Sequence, residues 1–214
     1  MSDRQPEPSA GLDDPAPAGP RSMRWRVVDI VVASVLAVAA GLIFVLWNIA
    51  SNPIGAPLAA LLPGLQASIG GVWLFAGVLT ALVIRKPGAA LYGEMVAATV
   101  SALVGNQWGV LTLESGLVQG LAAELVFALF LYRRWNLPVA LLAGAAAGLA
   151  MAVNELILWY PGAATAFAVI YTISGVISGV VLAGLLSWLG VRALAKTGAL
   201  SRFDSGRVAQ RDLR

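Results

Sequence analysis

Six long apolar runs, separated by short polar or glycine- and proline-rich segments, dominate the pattern of this chain. A helix needs about 20 mostly apolar residues to cross the hydrocarbon core of a bilayer. The third run is the shortest, and the other five are long enough to span. The pattern therefore predicts six transmembrane helices at about Val27–Ile49, Leu65–Ile84, Ala89–Val104, Leu111–Tyr132, Pro138–Trp159 and Ala166–Leu194.

The composition supports the same class. Of the 214 residues, 59% are hydrophobic and 12% are charged, whereas a soluble domain carries about 25% charged residues. The chain has no cysteine and no histidine, which leaves no thiolate metal site and removes the commonest general base. It also lacks a phosphate-binding loop and any nucleophile–base pattern. We therefore expect an all-α integral membrane protein that is not an enzyme and has no metal or cofactor.

The two ends of the chain differ from its centre. Residues 1–22 contain five prolines and four acidic residues, and almost no large apolar side chain. Such a segment buries too little surface to offset its ordering entropy, so we predict a disordered cytoplasmic tail. Residues 23–197 form the predicted six-helix membrane domain, and residues 198–214 form a second cytoplasmic tail.

Positive charge lies on one side of the predicted bundle. All fourteen Lys and Arg residues fall in the two terminal regions and in the links that carry Arg85-Lys86 and Arg133-Arg134. The other three links, residues 50–64, 105–110 and 160–165, contain none. The positive-inside rule places both termini in the cytoplasm, with the protein in the cell membrane. It also explains the isoelectric point of about 9.7 without a nucleic-acid partner.

The link Asn48–Gly64 is long, uncharged and rich in proline and glycine. Two interpretations stay open: a lid folded over the mouth of the bundle, or a plain connector at the membrane interface.

Two acidic residues, Glu94 and Glu124, lie inside apolar runs. A carboxylate at the bilayer centre costs about 2.5–3.5 kcal/mol on insertion scales, so such residues usually face a bundle interior. Polar and aromatic residues also fall in the outer half of the predicted bundle, the half away from the positively charged links. No Lys or Arg lies among them, which favours a cationic aromatic ligand. The candidate binding residues are Trp73, Glu94, Asn106, Gln119, Glu124, Glu155 and Trp159. Two alternatives stay open: Glu94 and Glu124 have purely structural roles, and Trp159 belongs to the belt of aromatic residues at the membrane interface.

Small residues recur four positions apart on several helices. The pairs Gly116/Gly120, Gly144/Gly148 and Gly175/Gly179 indicate close packing between helices of the bundle. Ala33 and Ala37 on the first helix indicate either a docking face for another membrane protein or internal packing. Asp29 follows Arg26 closely, and we expect the two to pair.

Three stretches resemble the YkoE family of substrate-binding S components of energy-coupling-factor (ECF) vitamin importers. They are Ile84-Arg85-Lys86-Pro87-Gly88-Ala89-Ala90-Leu91, Gly105-Asn106-Gln107, and Gly116 to Glu124, which reads Gly-Leu-Val-Gln-Gly-Leu-Ala-Ala-Glu. The resemblance covers roughly residues 24–200. It implies a six-helix S-component fold that captures thiamine or hydroxymethylpyrimidine (HMP) from outside, together with a transmembrane T component and two cytoplasmic ATPase domains.

The resemblance also implies residue roles. Glu94 would bind the aminopyrimidine and Trp73 would stack on a ring, whereas Glu155 and Trp159 would hold the thiazolium. Ala33 and Ala37 would dock on the T component. A different function stays open from the residues alone, because buried acids also serve proton-coupled secondary transporters of small cationic solutes.

Overall fold

The computed structural model describes residues 23–201 together with 203, 205 and 206, and every regular element in this part of the chain is helical. The predicted tail at residues 1–22 and most of the tail at 198–214 lie outside the described residues. The elements in chain order are α1 (Val27–Leu61), a 3-10 helix (Leu65–Trp73), α2 (Phe75–Ile84), α3 (Ala89–Val104), α4 (Leu111–Leu129), α5 (Leu137–Leu158), α6 (Thr165–Ser178), a π-helix (Gly179–Leu185) and α7 (Leu186–Lys196).

Among the described residues, five helical segments are long and apolar enough to cross a membrane: Val27–Leu61, Leu65–Ile84, Leu111–Leu129, Leu137–Leu158 and Thr165–Lys196. The remaining predicted span, Ala89–Val104, is the third in chain order and has 16 residues. At 1.5 Å per residue it is about 24 Å long, less than the ~30 Å hydrocarbon core. It contacts α1, α2 and α4, so neighbouring helices cover much of its surface. The six predicted spans thus correspond to five long helical segments and one short helix.

The first helix is longer than predicted. We expected a span to Ile49 and an irregular link, but α1 continues to Leu61 and contains Pro53 and Pro57. Proline usually ends a helix because it lacks an N–H, yet membrane helices tolerate it when neighbouring groups satisfy the freed carbonyls. The 35 residues of α1 extend about 52 Å. Both interpretations of Asn48–Gly64 assumed an irregular link, and that assumption is wrong because the stretch is helical as far as Leu61.

The second predicted span is interrupted. Leu65–Trp73 forms a 3-10 helix, which is unusually long for that geometry, and the α-helix begins only at Phe75. The 3-10 segment lies directly against α6 and the π-helix: Ser178 Oγ accepts from the N–H of Gly71 at 2.8 Å. A Cβ atom on Gly71 would lie 2.3 Å from the Ser178 carbonyl oxygen, so this approach requires glycine. The interruption leaves the first N–H groups of α2 without partners in their own helix.

The glycine pairs pack inside the bundle, as predicted. A Cβ on Gly144 would lie 2.2 Å from the Gly179 carbonyl oxygen, and one on Gly148 would lie 2.3 Å from that of Gly175. Here α5 and the continuous Thr165–Lys196 helix touch backbone to backbone. Close packing of this kind replaces the hydrophobic drive that is absent between helices in lipid.

Ala33 and Ala37 lie inside the protein. Both side chains are fully buried, and Ala33 belongs to the main apolar core. Of the two interpretations of these residues, the structure agrees with internal packing, because neither side chain is accessible to a partner. The exposed face of α1 carries larger residues instead, among them Val35 and Leu46.

The end of the bundle that carries Arg26, Lys86 and the Arg133-Arg134 link is called the basic end below. At this end the buried Asp29 carboxylate pairs with Arg26 at 2.8 Å, as expected, and with Lys86 at 2.5 Å. Residues after α7 also pack here: Leu200 and Phe203 are buried, and Ser205 Oγ donates to the Val83 carbonyl at 3.0 Å.

Candidate functional site

A cavity lies in the half of the bundle opposite the basic end. Five of the seven predicted binding residues line it: Trp73, Glu94, Gln119, Glu155 and Trp159. The remaining lining residues are Phe44, Asn48, Ala98, Ser101, Trp108, Thr112, Ser115 and Gly116.

Glu94 on α3 is 2% exposed, and one of its oxygens has a fixed position. Oε2 accepts from the N–H of Gly77 at 2.8 Å, in the first turn of α2. The positive end of the α2 dipole favours a carboxylate at this point. Within the described part of the chain, Oε1 has no hydrogen-bond partner. The side chain is therefore held rigidly by one oxygen and has the other available to a ligand.

Gly77 is necessary for this contact. A Cβ atom at position 77 would lie 2.9 Å from the Ala90 carbonyl oxygen and 3.1 Å from Glu94 Oε2. Any side chain would push α3 away from α2 or turn the carboxylate. The orientation of Glu94 thus depends both on the break before α2 and on the small residue after it.

Trp73 has a defined orientation at the end of the 3-10 helix. Its indole N–H donates to Asn48 Oδ1 at 2.9 Å, and the Asn48 amide donates to Ser101 Oγ at 3.0 Å. Trp108 lies edge to face with Trp73, with ring centroids 5.5 Å apart. Two indole rings in fixed orientations therefore line the cavity, where a flat or cationic ring can pack against them.

Asn106 does not line the cavity but builds the turn beside it. Its Oδ1 accepts from the N–H groups of Trp108 and Gly109 at 2.9 and 3.0 Å, and from Thr112 Oγ1 at 3.0 Å. An acceptor with three donors has no capacity left for a ligand. The geometry makes Asn106 a positioning residue for Trp108.

Gln119 on α4 is 6% exposed and lines the cavity. Among the described residues no hydrogen bond to its side-chain amide is found. An amide carries donors and an acceptor, so a buried one without protein partners is suited to a polar ligand.

Glu155 and Trp159 lie one turn apart near the end of α5. The Glu155 carboxylate accepts a hydrogen bond from the hydroxyl of Tyr171 on α6. Trp159 is 43% exposed, as expected for a residue at the mouth of a cavity or at a membrane interface. Both residues also line a second cavity, under the last turns of α1.

Glu124 lies outside both cavities, toward the basic end. Its Oε1 accepts from the N–H of Gly88 at 2.6 Å, and its Oε2 accepts from those of Ala90 and Leu91 at 2.8 and 3.3 Å. These donors form the first turn of α3, so Glu124 caps that helix. Burial, and then this nearby carboxylate, raise the pKa of the Tyr132 hydroxyl to about 12. Glu124 therefore has the structural role that was its alternative interpretation, and we leave it out of the proposed site.

Several lining residues were not among the predicted ones. Ser101, Thr112 and Ser115 carry little sequence signal, because hydroxyls in apolar helices often bond their own backbone. Asn48 had a detectable signal, since a polar amide follows a long apolar run beside Trp47. Within the described residues, no group of three or more acidic side chains is arranged to hold a metal ion.

Comparisons with known proteins identify the family and the fold. A family model described as "ABC-type cobalt transport system, permease component" matches residues 28–150. The chain is 34% identical over 184 residues to a protein of Bacillus subtilis (strain 168) provisionally named HMP/thiamine permease protein YkoE, covering 86% of this chain and 91% of that protein.

A solved structure described as the crystal structure of an S-component of ECF transporter matches with a TM-score of 0.81 and 34% identity. The match covers 88% of this chain and 95% of the other. Because both relatives align over nearly their whole length, the chain belongs to the YkoE family and has the fold of an ECF transporter S component.

Proposed function

We propose that this protein is the substrate-binding subunit of an ATP-driven ECF importer and captures thiamine or its precursor HMP from outside the cell. The observation that carries the proposal is a single cavity in which a carboxylate oxygen and an amide without protein partners meet two oriented indole rings. No Lys or Arg is among the residues that line it. The name of the Bacillus subtilis relative supports the choice of ligand.

Each group has a role that follows from its chemistry. Glu94 Oε1 accepts from the exocyclic amine of an aminopyrimidine, which thiamine and HMP share. Gln119 supplies hydrogen bonds to the same ring. Trp73 and Trp108 pack against ring faces, and a cationic ring gains up to about 2 kcal/mol or more from such contacts when water is excluded.

Transport requires partners in this proposal. The positive-inside rule puts the basic end in the cytoplasm, so the cavity lies toward the outside. The chain has no ATP-binding loop, and a T component with two cytoplasmic ATPase domains supplies the energy. This chain binds its ligand, excludes water and releases the ligand when the complex reorients it.

The test is a calorimetric titration of the purified full-length protein with thiamine, HMP and unrelated vitamins. We expect Glu94→Gln to weaken thiamine binding by about tenfold or more, about 1.4 kcal/mol. Glutamine keeps an oxygen for the Gly77 N–H but places an N–H₂ group where the ligand amine needs an acceptor.

Glu114→Gln is the matched control, because Glu114 bonds Asn154 at 3.0 Å and lines neither cavity. Equal affinities for Glu94→Gln and wild type would remove Glu94 from the site. A wild-type protein that binds neither thiamine nor HMP would refute the proposed ligand. Uptake that stops with an uncoupler while ATP is held constant would favour a proton-coupled transporter instead.

A further inference from the structure

The described residues that follow α7 pack against the basic end of the bundle. We name residues 197–201, together with 203, 205 and 206, the C-terminal latch. Leu200 and Phe203 are each 4% exposed and belong to the main apolar core, and Ser205 is fully buried. A Cβ atom on Gly206 would lie 2.1 Å from the Leu200 carbonyl oxygen, so the latch is also folded tightly on itself.

The latch contacts the ends of two different helices. Ser205 Oγ donates to the Val83 carbonyl at 3.0 Å, in the last turn of α2. The last four carbonyls of a helix have no partner within it, so the latch satisfies one of them from outside. The Arg26 guanidinium, just before α1, lies 5.9 Å from the centroid of the Phe203 ring. The latch therefore joins the start of α1 to the end of α2.

The opposite end of α2 holds the proposed binding carboxylate. The Gly77 N–H, in the first turn of α2, donates to Glu94 Oε2 at 2.8 Å. About 9 Å of helix, at 1.5 Å per residue, separates Gly77 from Val83. Because α2 is a single helix of ten residues, a shift at one of its ends is transmitted to the other.

The helix that leads into the latch also positions α2. Ser187 on α7 is 2% exposed, and its Oγ donates to the Phe75 carbonyl, at the start of α2, at 3.3 Å. The Thr80 hydroxyl, in the middle of α2, is buried and has no hydrogen-bond partner within the described part of the chain. Two buried serines, Ser187 and Ser205, thus bond carbonyls at the two ends of α2.

From these contacts we infer that the latch controls the affinity of the cavity: when it is seated on α2 it keeps the Gly77 N–H against Glu94, and when it leaves α2 the cavity binds its ligand more weakly. The inference rests on the proposed function and adds regulation of the same site. No residue of the latch lines either cavity, so its effect on a ligand passes through α2. Because coupling between two sites is reciprocal, a ligand at Glu94 also favours the seated latch.

The inference predicts that changes in the latch weaken binding at a distance. We expect the double variant Phe203→Ala with Ser205→Ala to lower the thiamine affinity of the full-length protein by about fivefold or more. Gly206→Ala should act in the same direction with both of those side chains in place, because a methyl group does not fit beside the Leu200 carbonyl. Ser201→Ala is the matched control, because this serine belongs to the latch but is exposed.

Hydrogen exchange measured by mass spectrometry tests the coupling itself. In the ligand-free protein, the double variant and Gly206→Ala should exchange faster than the wild type in peptides from α2 and the latch, with exchange in α5 unchanged. In the wild type, thiamine should slow exchange in the latch although it binds at the other end of α2. Thermal unfolding shows whether each variant is folded.

Two results would overturn the latch. One is an unchanged thiamine affinity together with unchanged exchange in α2, which leaves the proposed function standing. The other is faster exchange throughout the protein, which would mean that the latch only stabilises the fold. A wild type that binds neither thiamine nor HMP refutes the proposed function, and exchange in α2 of the ligand-free variants then decides by itself whether the latch positions Gly77 against Glu94.

Discussion

Glu94 and Glu124 are two buried carboxylates on neighbouring helices, and each bonds the first turn of another helix. Glu94 accepts from one N–H of α2, and Glu124 accepts from three N–H groups of α3. The second has both oxygens occupied, whereas the first keeps one oxygen without a partner beside a cavity. Burial does not distinguish the carboxylate that we propose binds a ligand from the structural one, but the supply of internal donors does.

The same contrast holds for the two ends of the bundle. At the basic end, Asp29 bonds Arg26 and Lys86, and Lys86 also donates to the Arg24 carbonyl at 2.5 Å. At the opposite end, Glu94 and Gln119 retain unused bonding groups that line a cavity. The charged groups of one end are therefore satisfied by internal hydrogen bonds, whereas the other end keeps polar groups without protein partners beside a cavity.

The largest expected effect is a loss of stability on removal of the structural carboxylate, Glu124. Glu124→Ala leaves three N–H groups at the start of α3 without this acceptor, one of them buried and two partly buried. A buried donor left without a partner costs about 1–3 kcal/mol. We expect a loss of about 3 kcal/mol or more in the free energy of unfolding. Thermal and denaturant unfolding of the purified protein would measure it, with Glu114→Ala as the control at a less buried carboxylate. A loss no larger than the control's would mean that the cap contributes little.

A smaller effect should come from the glycine that positions Glu94. Gly77→Ala places a methyl group 2.9 Å from the Ala90 carbonyl oxygen, and overpacking of this kind costs about 1–3 kcal/mol. We expect both stability and thiamine affinity to fall although Glu94 is still present. Gly190→Ala is the matched control, because its Cβ meets nothing closer than Leu79 Cδ1 at 3.8 Å. Unchanged affinity in Gly77→Ala would show that the orientation of Glu94 does not matter.

The smallest effect should come from removing the hydrogen bond between Asn48 and the indole of Trp73. Asn48→Ala removes the acceptor of the Trp73 N–H and costs about 1 kcal/mol, a several-fold loss of affinity. The effect should appear with thiamine and with HMP, since Trp73 lines both cavities. Asn154→Ala, which removes an amide that lines neither cavity, provides the comparison in the same titration. Equal results for the two variants would remove the oriented indole from the binding site.

Much of the fold could be predicted because its determinants are local. Apolar run lengths placed the ends of α3 correctly and those of α4 and α5 to within a few residues. The small-residue spacing indicated close packing between helices, and the structure shows it between α5 and α6. The continuation of α1 through Pro53 and Pro57 could not be predicted, because other helices determine whether freed carbonyls are tolerated. The interruption before α2 likewise depends on how closely the 3-10 helix approaches Ser178.

By itself the sequence determined the membrane class, the side that carries positive charge and the acidic, amide and aromatic residues available for a site, because each of these depends on residue type and chain position. Only the tertiary structure decided which of the two acids keeps a free oxygen, that Ala33 and Ala37 are buried, and that Asn106 supports a turn. In nearly all-apolar helices the sequence hardly specifies which face turns inward, and hydrogen-bond donors for a buried carboxylate come from other helices. Packing therefore assigns the roles that composition leaves open.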